Sequence, residues 1–288
     1  MKTLILFLMV ALHSGGSATG MNDSLHVKVT GAGEPVVFIP GLIGSEYGFR
    51  QVISSLDPAR FRSIVIEPLG FGSSPRPEDG DYSITAQADR IAAVLDTLVT
   101  HPITLVAHSV GASIAYRIAY RHPHLVRGIL SLEGGPTETL ATPSFRLAMK
   151  FAPVFRMLGP ESMLEIFRQQ MRRASADDEW ITDELMLSYT VGFRRDYGAS
   201  LKALKAMSKT EEPESLADHL GEIQCPVLLL IGAARHRSGP HRDDVSLMVE
   251  RIPHLAIDSV AGAGHFIQEE RPGAVVTAIE LLVGGDTG

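Results

Sequence analysis

One serine lies in a sequence context that is typical of an enzyme nucleophile. Ser109 occurs in the stretch LVAHSVGAS, directly after an apolar run and before a helical pattern, with Ala107 and Gly111 as small neighbours. Small neighbours permit the tight strand-to-helix turn that exposes a nucleophilic hydroxyl, and the first amides of the next helix point toward an oxyanion formed there. An isolated serine before a helix is more often an N-cap. The strand, turn and helix together favour the nucleophile.

A serine hydroxyl needs a base that accepts its proton, and the best-placed histidine is His265. It lies in the small-residue stretch VAGAGHFIQ, between the last strand pattern and the last helical pattern. This position fits the chain order serine, acid, histidine. The alternatives are a helix-capping or solvent-exposed histidine. His108 adjoins Ser109, but consecutive strand residues point to opposite faces, so we expect His108 to pack against the sheet.

The base in turn needs a carboxylate that fixes its tautomer and stabilises its positive charge. The loop after PVLLLIG is the usual place, but residues 233–237 read AARHR and contain no acid. Glu133 follows the strand pattern VRGILSL, at the carboxyl end where parallel sheets gather functional groups. Asp243 and Asp244 occur later, where acids favour a helix start. We therefore predict Glu133 as the acid, with Asp243 or Asp244, or no working acid, as the alternatives.

A mostly parallel central sheet flanked by helices, an α/β fold, would position these groups. Apolar β-branched runs alternate with helical patterns along the chain. HVKVT and PVVFIPG flank the turn-like GAGE, which predicts an antiparallel pair at the sheet edge. Further strands are predicted at RSIVIEP, ITLVAHS, VRGILSLEGG, PVLLLIG and HLAIDSV, and helices at AQADRIAAVLDTLV, ASIAYRIAYRHP and RPGAVVTAIELLVGG.

The alternation stops over residues 136–215, where the patterns are helical. We interpret this segment as an insertion that divides the core into residues 21–135 and 216–288. It is rich in methionine and phenylalanine, which suit a deformable apolar surface over a ligand. We expect Phe155, Met163 and Phe167 to contact substrate, with ordinary packing as the alternative.

Composition narrows the class of protein further. The chain has 288 residues, 45% of them hydrophobic, and a mean hydropathy of +0.12, as expected of a globular protein. Its net charge of −7 predicts no nucleic-acid partner. The stretch RHRSGPHR is an anionic-ligand patch, a metal site through His236 and His241, or a solvated loop. Two histidines alone do not make a ligand set, so we predict a solvated loop, no metal and no cofactor.

The first 20 residues predict a secretory signal. Lys2 precedes an apolar stretch from Leu4 to Leu12, and small residues surround Ala18. The apolar stretch is too short to span a bilayer, so we predict export to the periplasm or medium without a stable membrane span. The alternative is that Met21 is the true first residue.

Several motifs together resemble the α/β-hydrolase superfamily over nearly the whole chain after residue 20: FIPGLIGSEYGF, EPLGFGSSPRP, AHSVGAS, PVLLLIG and GAGHFIQEERP. The resemblance implies an α/β-hydrolase fold in which residues 136–215 form a helical cap after the sixth strand. It also implies an oxyanion hole made by the backbone amides of Leu42 and Val110. The histidine-glycine pair that precedes the first of these donors in the family is Pro40-Gly41 here.

The resemblance bears on the acid as well. In the haloalkane-dehalogenase branch the acid stands at the strand end that Glu133 occupies here. Those enzymes use an aspartate nucleophile, whereas this chain has Ser109, which disfavours dehalogenation and epoxide opening.

These observations predict an exported, cofactor-independent serine hydrolase that acts on an ester or lactone of an apolar small molecule. Ser109 would attack, His265 would transfer protons and Glu133 would orient His265. Carbon–carbon bond hydrolysis and perhydrolysis on the same residues remain alternatives. A protein of another class, a catalytically silent homologue that binds a small apolar ligand, also remains open.

Overall fold

The core of the molecule is a seven-stranded sheet with the order β1-β3-β2-β4-β5-β6-β7. The computed structural model describes residues 24–140, 143–236 and 238–284, and the predicted signal lies outside them. β1 runs antiparallel to β3, and the other neighbouring strands are parallel. The mostly parallel sheet is thus confirmed. The strands are β1 His26–Thr30, β2 Glu34–Ile39, β3 Phe61–Glu67, β4 Ile103–His108, β5 Val126–Leu132, β6 Val227–Gly232 and β7 Leu255–Val260.

Helices cover both faces of this sheet, which explains the nearly continuous apolar strands. In β2, Val37 and Ile39 pack into the core cluster that also contains the buried residues of α2 and α3. Val36 and Phe38 pack on the opposite face, with residues of α1 and α13. The helices outside the insertion are α1 Arg50–Ser55, α2 Ile84–Leu98, α3 Val110–Arg121, α10 Leu216–His219, α11 Arg242–Arg251, α12 Ile267–Glu270 and α13 Pro272–Gly284.

The predicted pairing of β1 with β2 is wrong, because β3 lies between them. β2 has two edges, and these pair with β3 and β4 in parallel. The intervening turn is bound to the segment before β3 instead: the Ala32 amide donates to Pro58 O at 3.0 Å, and the Glu34 amide donates to Arg60 O at 2.8 Å. A short turn between two strands favours a hairpin locally, but the long-range parallel pairing prevails here.

Between β5 and β6 the described residues form helices and no strands. Six of these helices lie within residues 136–215, which we call the insertion, and it follows the fifth strand of this sheet rather than a sixth. No helix among the described residues is long and apolar enough to cross a membrane. The helices of the insertion are α4 Pro143–Lys150, α5 Ala152–Leu158, α6 Pro160–Ala174, α7 Asp183–Tyr189, α8 Val191–Arg195 and α9 Tyr197–Met207.

Candidate active site

Ser109 occupies a strained turn between β4 and α3. Its φ is 55° and its ψ is −125°, a conformation that residues with a side chain rarely adopt. Two glycines make room for the turn. A Cβ on Gly134 would lie 2.6 Å from Ser109 O, and a Cβ on Gly111 would lie 2.6 Å from Ile39 O. The predicted small neighbour Gly111 therefore lets α3 begin close to the end of β2.

The predicted oxyanion-hole residues lie on both sides of this turn. Val110 is the first residue of α3, and Leu42 lies in the loop after β2. The loop passes close to the serine: a Cβ on Gly41 would lie 3.1 Å from Ser109 Cβ. Neither the Leu42 amide nor the Val110 amide donates a hydrogen bond to a described residue. Both remain available to a negatively charged oxygen at Ser109.

His265 lies in the loop after β7 and is held through its backbone. Its amide donates to Ala174 O at 2.8 Å, at the end of α6, and its carbonyl accepts from His108 Nε2 at 2.9 Å. His108 is buried, but rather than packing only against the sheet as expected, it lines the same cavity as Ser109, and its ring lies 4.7 Å from the His265 ring. Burial, followed by the charge of His236, lowers the pKa of His265 to about 3. His265 is therefore neutral near pH 7, the form that accepts a proton.

The loop that carries His265 is also bound to the insertion through a buried carboxylate. Glu270 Oε2 accepts from the Gly264 amide at 2.8 Å. Its Oε1 accepts from the amides of Ala176 at 2.5 Å and Asp177 at 3.2 Å. One side chain thus joins the histidine loop to the turn after α6.

Glu133 follows β5 and directs one carboxylate oxygen toward His265. Its φ is 56°, so the backbone makes a second strained turn at a strand end here. Oε1 accepts a hydrogen bond from the Gly232 amide. Oε2 lies 3.8 Å from His265 Nδ1, just beyond hydrogen-bonding distance. Burial raises the pKa of Glu133, and the Gly232 amide and His236 oppose that shift.

The two facing atoms, Glu133 Oε2 and His265 Nδ1, share a further property. Both are buried, and neither has a hydrogen-bond partner in the described part of the chain. Buried polar atoms are nearly always paired, because an unpaired one costs about 1–3 kcal/mol. A shortening of the 3.8 Å gap between them to about 3 Å would pair both atoms with each other.

His236 is the residue of this site that the sequence did not reveal. Its side chain is only 5% exposed, and its Nε2 lies 3.4 Å from Glu133 Oε1. Its Nδ1 accepts from the Ser238 amide at 3.3 Å, which leaves the proton on Nε2, facing the carboxylate. The expectation of a solvated loop is therefore wrong for His236. One sequence feature could have placed His236 near Glu133: its loop follows β6, and β6 pairs with β5, the strand that Glu133 follows.

Glu133, His236 and His265 also form the group of described residues whose donor atoms could share a metal ion, since these atoms lie within 4.8 Å of one another. His241, the other histidine considered for a metal site, is not part of that group. It precedes α11 instead, where its amide donates to Asp244 Oδ2 at 3.3 Å.

The alternative acids belong to the start of α11. Asp243 and Asp244 lie in its first turn, where carboxylates stabilise the helix dipole. Within the described residues, neither carboxylate comes within 4.0 Å of His265, whereas Glu133 does. The structure thus brings Glu133, rather than either aspartate, close to His265.

A cavity of about 200 Å³ joins the serine to the histidine. Ser109 and His265 line it together with the loop after β2, and Phe145, Phe167 and Met171 line it from the insertion. Of the three predicted substrate contacts, Phe167 lies here, whereas Phe155 and Met163 are not among its lining residues. Phe167 shares one face of α6 with Met171, four residues later. Met163 lies one turn earlier and packs against the core cluster instead.

The sequence of this chain is similar to those of known hydrolases. The family model for the alpha/beta hydrolase fold matches residues 34–272. The chain belongs to this family. Among curated relatives, this α/β hydrolase is 30% identical to a 2-hydroxymuconate semialdehyde hydrolase from a Pseudomonas species, over 65% of this chain and 63% of the relative. It is 25% identical to a 2-(acetamidomethylene)succinate hydrolase from Mesorhizobium japonicum, over 90% of this chain and 91% of that protein.

Solved structures of other proteins share the fold described above. An N-acyl homoserine lactone degrading enzyme is 25% identical to this α/β hydrolase, with a TM-score of 0.69 over 90% of this chain and 96% of the other. A thermophilic esterase from Thermogutta terrifontis is 23% identical, with a TM-score of 0.72 over 90% of this chain and 93% of the other. Proteins that share this fold thus include one named as an esterase and one named as a lactone degrading enzyme.

Proposed function

We propose that the protein is a serine hydrolase that cleaves a small, uncharged ester or lactone through an acyl-enzyme. One observation carries the proposal. A serine in a strained strand-to-helix turn shares a cavity with a neutral histidine, and the Nδ1 of that histidine faces the unpaired oxygen of a buried carboxylate.

The reaction follows from these positions. Glu133 holds His265 through Nδ1, so Nε2 accepts the proton as Ser109 attacks the carbonyl carbon. The amides of Leu42 and Val110 stabilise the negatively charged oxygen of the tetrahedral intermediate. His265 then gives the proton to the leaving alcohol. A water molecule, activated by His265 in the same way, releases the acid and restores Ser109.

The cavity supports a small and uncharged substrate. Its volume of about 200 Å³ is below the range of most drug-sized sites, so it suits an acyl chain or ring of a few carbons. Its described lining includes no lysine or arginine. A carboxylated substrate, such as the succinate named for one relative, would find no cationic partner among these residues.

Carbon–carbon bond hydrolysis is the second candidate. It is favoured by the relative at 30% identity, which is named for a semialdehyde substrate. The same serine, histidine and carboxylate would serve it. A parallel assay with vinylogous keto-acid and ester substrates would separate the two reactions.

The decisive experiment compares two serines of one cavity. We expect a fluorophosphonate probe to label the wild type and Ser238→Ala stoichiometrically, and to leave Ser109→Ala unlabelled. Turnover of p-nitrophenyl esters should fall by up to ~10⁶-fold in Ser109→Ala, because nothing else supplies the nucleophile. Wild-type turnover in Ser109→Ala would contradict the assignment. An unlabelled, inactive wild type would favour the silent ligand-binding protein instead.

We further propose that the insertion acts as a cap and that the chain is exported. The cap is supported by Phe145, Phe167 and Met171, which close the cavity from the insertion. Export is supported by the signal-like pattern of the first 20 residues. Intact-mass measurement of protein recovered from the periplasm should show that roughly these residues are removed. A full-length mass there, or recovery only from the cytosol, would contradict export.

A further inference from the structure

A row of large apolar side chains is exposed along α4 and α5. Leu147, Phe151, Val154 and Leu158 are 57%, 54%, 45% and 58% exposed, and Met157 beside them is 80% exposed. The first four are spaced by four, three and four residues, the spacing of one helix face, with Phe151 in the turn between α4 and α5. We call these five residues the apolar stripe.

The opposite side of the same segment packs normally. Met149 and Ala152 are buried, and Phe145 lines the substrate cavity. The helices α4 and α5 are thus fixed against the protein by one face, and the stripe is a second apolar face that no described residue covers. Contiguous exposed apolar surface of this kind marks an interaction site.

The charged side chains of the stripe segment itself are all cationic. Residues 143–160 contain three cations, Arg146, Lys150 and Arg156, and no aspartate or glutamate, although the whole chain has a net charge of −7. The next acid, Glu161, lies in the first turn of α6, and its carboxylate lies 4.0 Å from Arg194. Arg146 donates to Thr139 Oγ1 at 3.0 Å. Lys150 and Arg156 are exposed, and among the described residues no carboxylate lies within 4.0 Å of either.

We propose that the apolar stripe docks the protein on an anionic lipid surface. An exposed apolar helix face flanked by cations lies in the interface of a bilayer, with the apolar side chains among the acyl chains and the cations at the lipid phosphates. The segment would lie on the bilayer and not cross it, in keeping with the absence of a spanning helix in the described chain.

Charge also distinguishes this partner from a second copy of the chain. A two-fold dimer would place the same patch on both subunits and bring like charges together. A phosphate-bearing surface supplies the opposite charge. The proposal is independent of the catalytic assignment, since docking requires neither Ser109 nor His265.

Vesicle sedimentation of the purified protein tests it. The probe is mixed phosphatidylglycerol and phosphatidylcholine vesicles, with pure phosphatidylcholine vesicles for comparison. The stripe variant is Phe151→Ser with Leu158→Ser. Its matched control is Val249→Ser with Leu281→Ser, which are 62% and 66% exposed on α11 and α13.

A second pair of variants tests the charges. Lys150→Gln with Arg156→Gln removes two cations beside the stripe. Lys205→Gln with Lys209→Gln removes two exposed cations on α9 and just after it, and is the control. Circular dichroism should show that all four variants fold, because every replaced side chain is exposed.

We expect the wild type and both controls to partition onto the anionic vesicles. The stripe and charge variants should bind these vesicles at least about tenfold more weakly. Binding of the wild type should also weaken as salt rises. Failure of the wild type to sediment with anionic vesicles, or equal binding by the stripe variant, would overturn the proposal. A wild-type dimer that dissociates in the stripe variant, without vesicle binding, would show a self-association face instead.

Discussion

Two buried glutamates of this molecule have opposite hydrogen-bond inventories. Glu269 is 4% exposed and fully paired: Oε1 accepts from Arg50 Nη1 at 2.5 Å and from the Tyr189 hydroxyl at 2.7 Å, and Oε2 accepts from Gln51 Nε2 at 3.1 Å. Glu133 is 2% exposed, and its Oε2 has no partner among the described residues.

The difference separates a carboxylate that is fully paired within the fold from one that has an oxygen left for a further partner. Glu269 joins α1, α7 and α12, and both of its carboxylate oxygens already accept hydrogen bonds within the fold. Glu133 keeps one oxygen for His265, whose Nδ1 is also unpaired. Burial raises the pKa of both carboxyls, so burial alone does not identify the functional one. The unpaired oxygen is what distinguishes Glu133, and it supports the proposed role of this carboxylate.

The largest effect should come from Glu133. Glu133→Gln keeps the shape of the side chain but presents an amide that favours the wrong tautomer of His265. We expect kcat to fall by as much as ~10⁴-fold, by analogy with the same change in a serine-protease triad. Ester turnover at saturating substrate measures it.

Its control is the double variant Asp243→Asn with Asp244→Asn, which should retain turnover and lose ~1 kcal/mol or less of stability from the start of α11. An active Glu133→Gln enzyme together with an inactive aspartate double variant would return the acid to the loop after β6.

A second effect concerns the buried histidines near Glu133. Burial lowers the pKa of both His108 and His265 to about 3, from an ordinary value of 6.5. The unfolded chain therefore binds more protons as pH falls. The contribution of these groups to stability is present above pH 6.5 and is lost progressively toward pH 3. Each should lower the free energy of unfolding by up to about 1.4 kcal/mol per pH unit.

Urea unfolding between pH 7 and pH 4 measures this dependence. His108→Asn removes one titrating group, so its slope should be shallower than that of the wild type by about one proton. Identical slopes in the two proteins would mean that His108 titrates normally. A slope near zero below pH 6.5 would mean that Glu133 or another group keeps both histidines charged.

A third effect should come from the paired glutamate. Glu269→Gln leaves Arg50 and the Tyr189 hydroxyl with a neutral, poorly matched partner. We expect a loss of roughly 1–3 kcal/mol in the free energy of unfolding. Turnover per folded molecule should fall far less than in Glu133→Gln. Denaturation midpoints combined with active-site titration separate the two, and a Glu269→Gln enzyme as inactive as Glu133→Gln would remove the distinction between the glutamates.

The smallest effect concerns substrate length. Phe167→Ser should weaken kcat/KM for longer acyl chains more than for acetate, because each buried methylene contributes ~0.8 kcal/mol. Phe155→Ser and Met163→Ser, whose side chains do not line the cavity, should change all chain lengths equally. A chain-length bias in Met163→Ser that matches Phe167→Ser would show that the cavity extends along α6 in solution.

The sequence was informative where chain order constrains space. The carboxyl ends of β4 and β5 meet at one edge of the sheet, so the strand patterns alone assign Ser109 and Glu133 to one region. His265 followed from its position after the last strand.

The sequence-based predictions that were wrong concern features that depend on long-range packing. The local sequence does not predict that β3 separates β1 from β2, because that order depends on which strands pair with the two edges of β2, namely β3 and β4. Met163 and Phe167 are four residues apart and share one face of α6, so helical spacing does not separate them. The position of α6 over the core brings Phe167 to the cavity, whereas Met163 packs against the core cluster. His236 was misjudged because its neighbours Arg235 and Arg237 indicate a solvated loop, whereas strand pairing brings it to Glu133.

The bonds between the insertion and the histidine loop limit how this enzyme can be re-engineered. Ala174 O holds the backbone of His265, and Glu270 joins the same loop to the amides of Ala176 and Asp177. A designer who exchanges the insertion for that of another relative would replace the acceptor that holds His265 along with the residues that line the cavity. A transplant that retains residues 174–177 preserves these bonds, so the cavity lining can be altered without displacing His265.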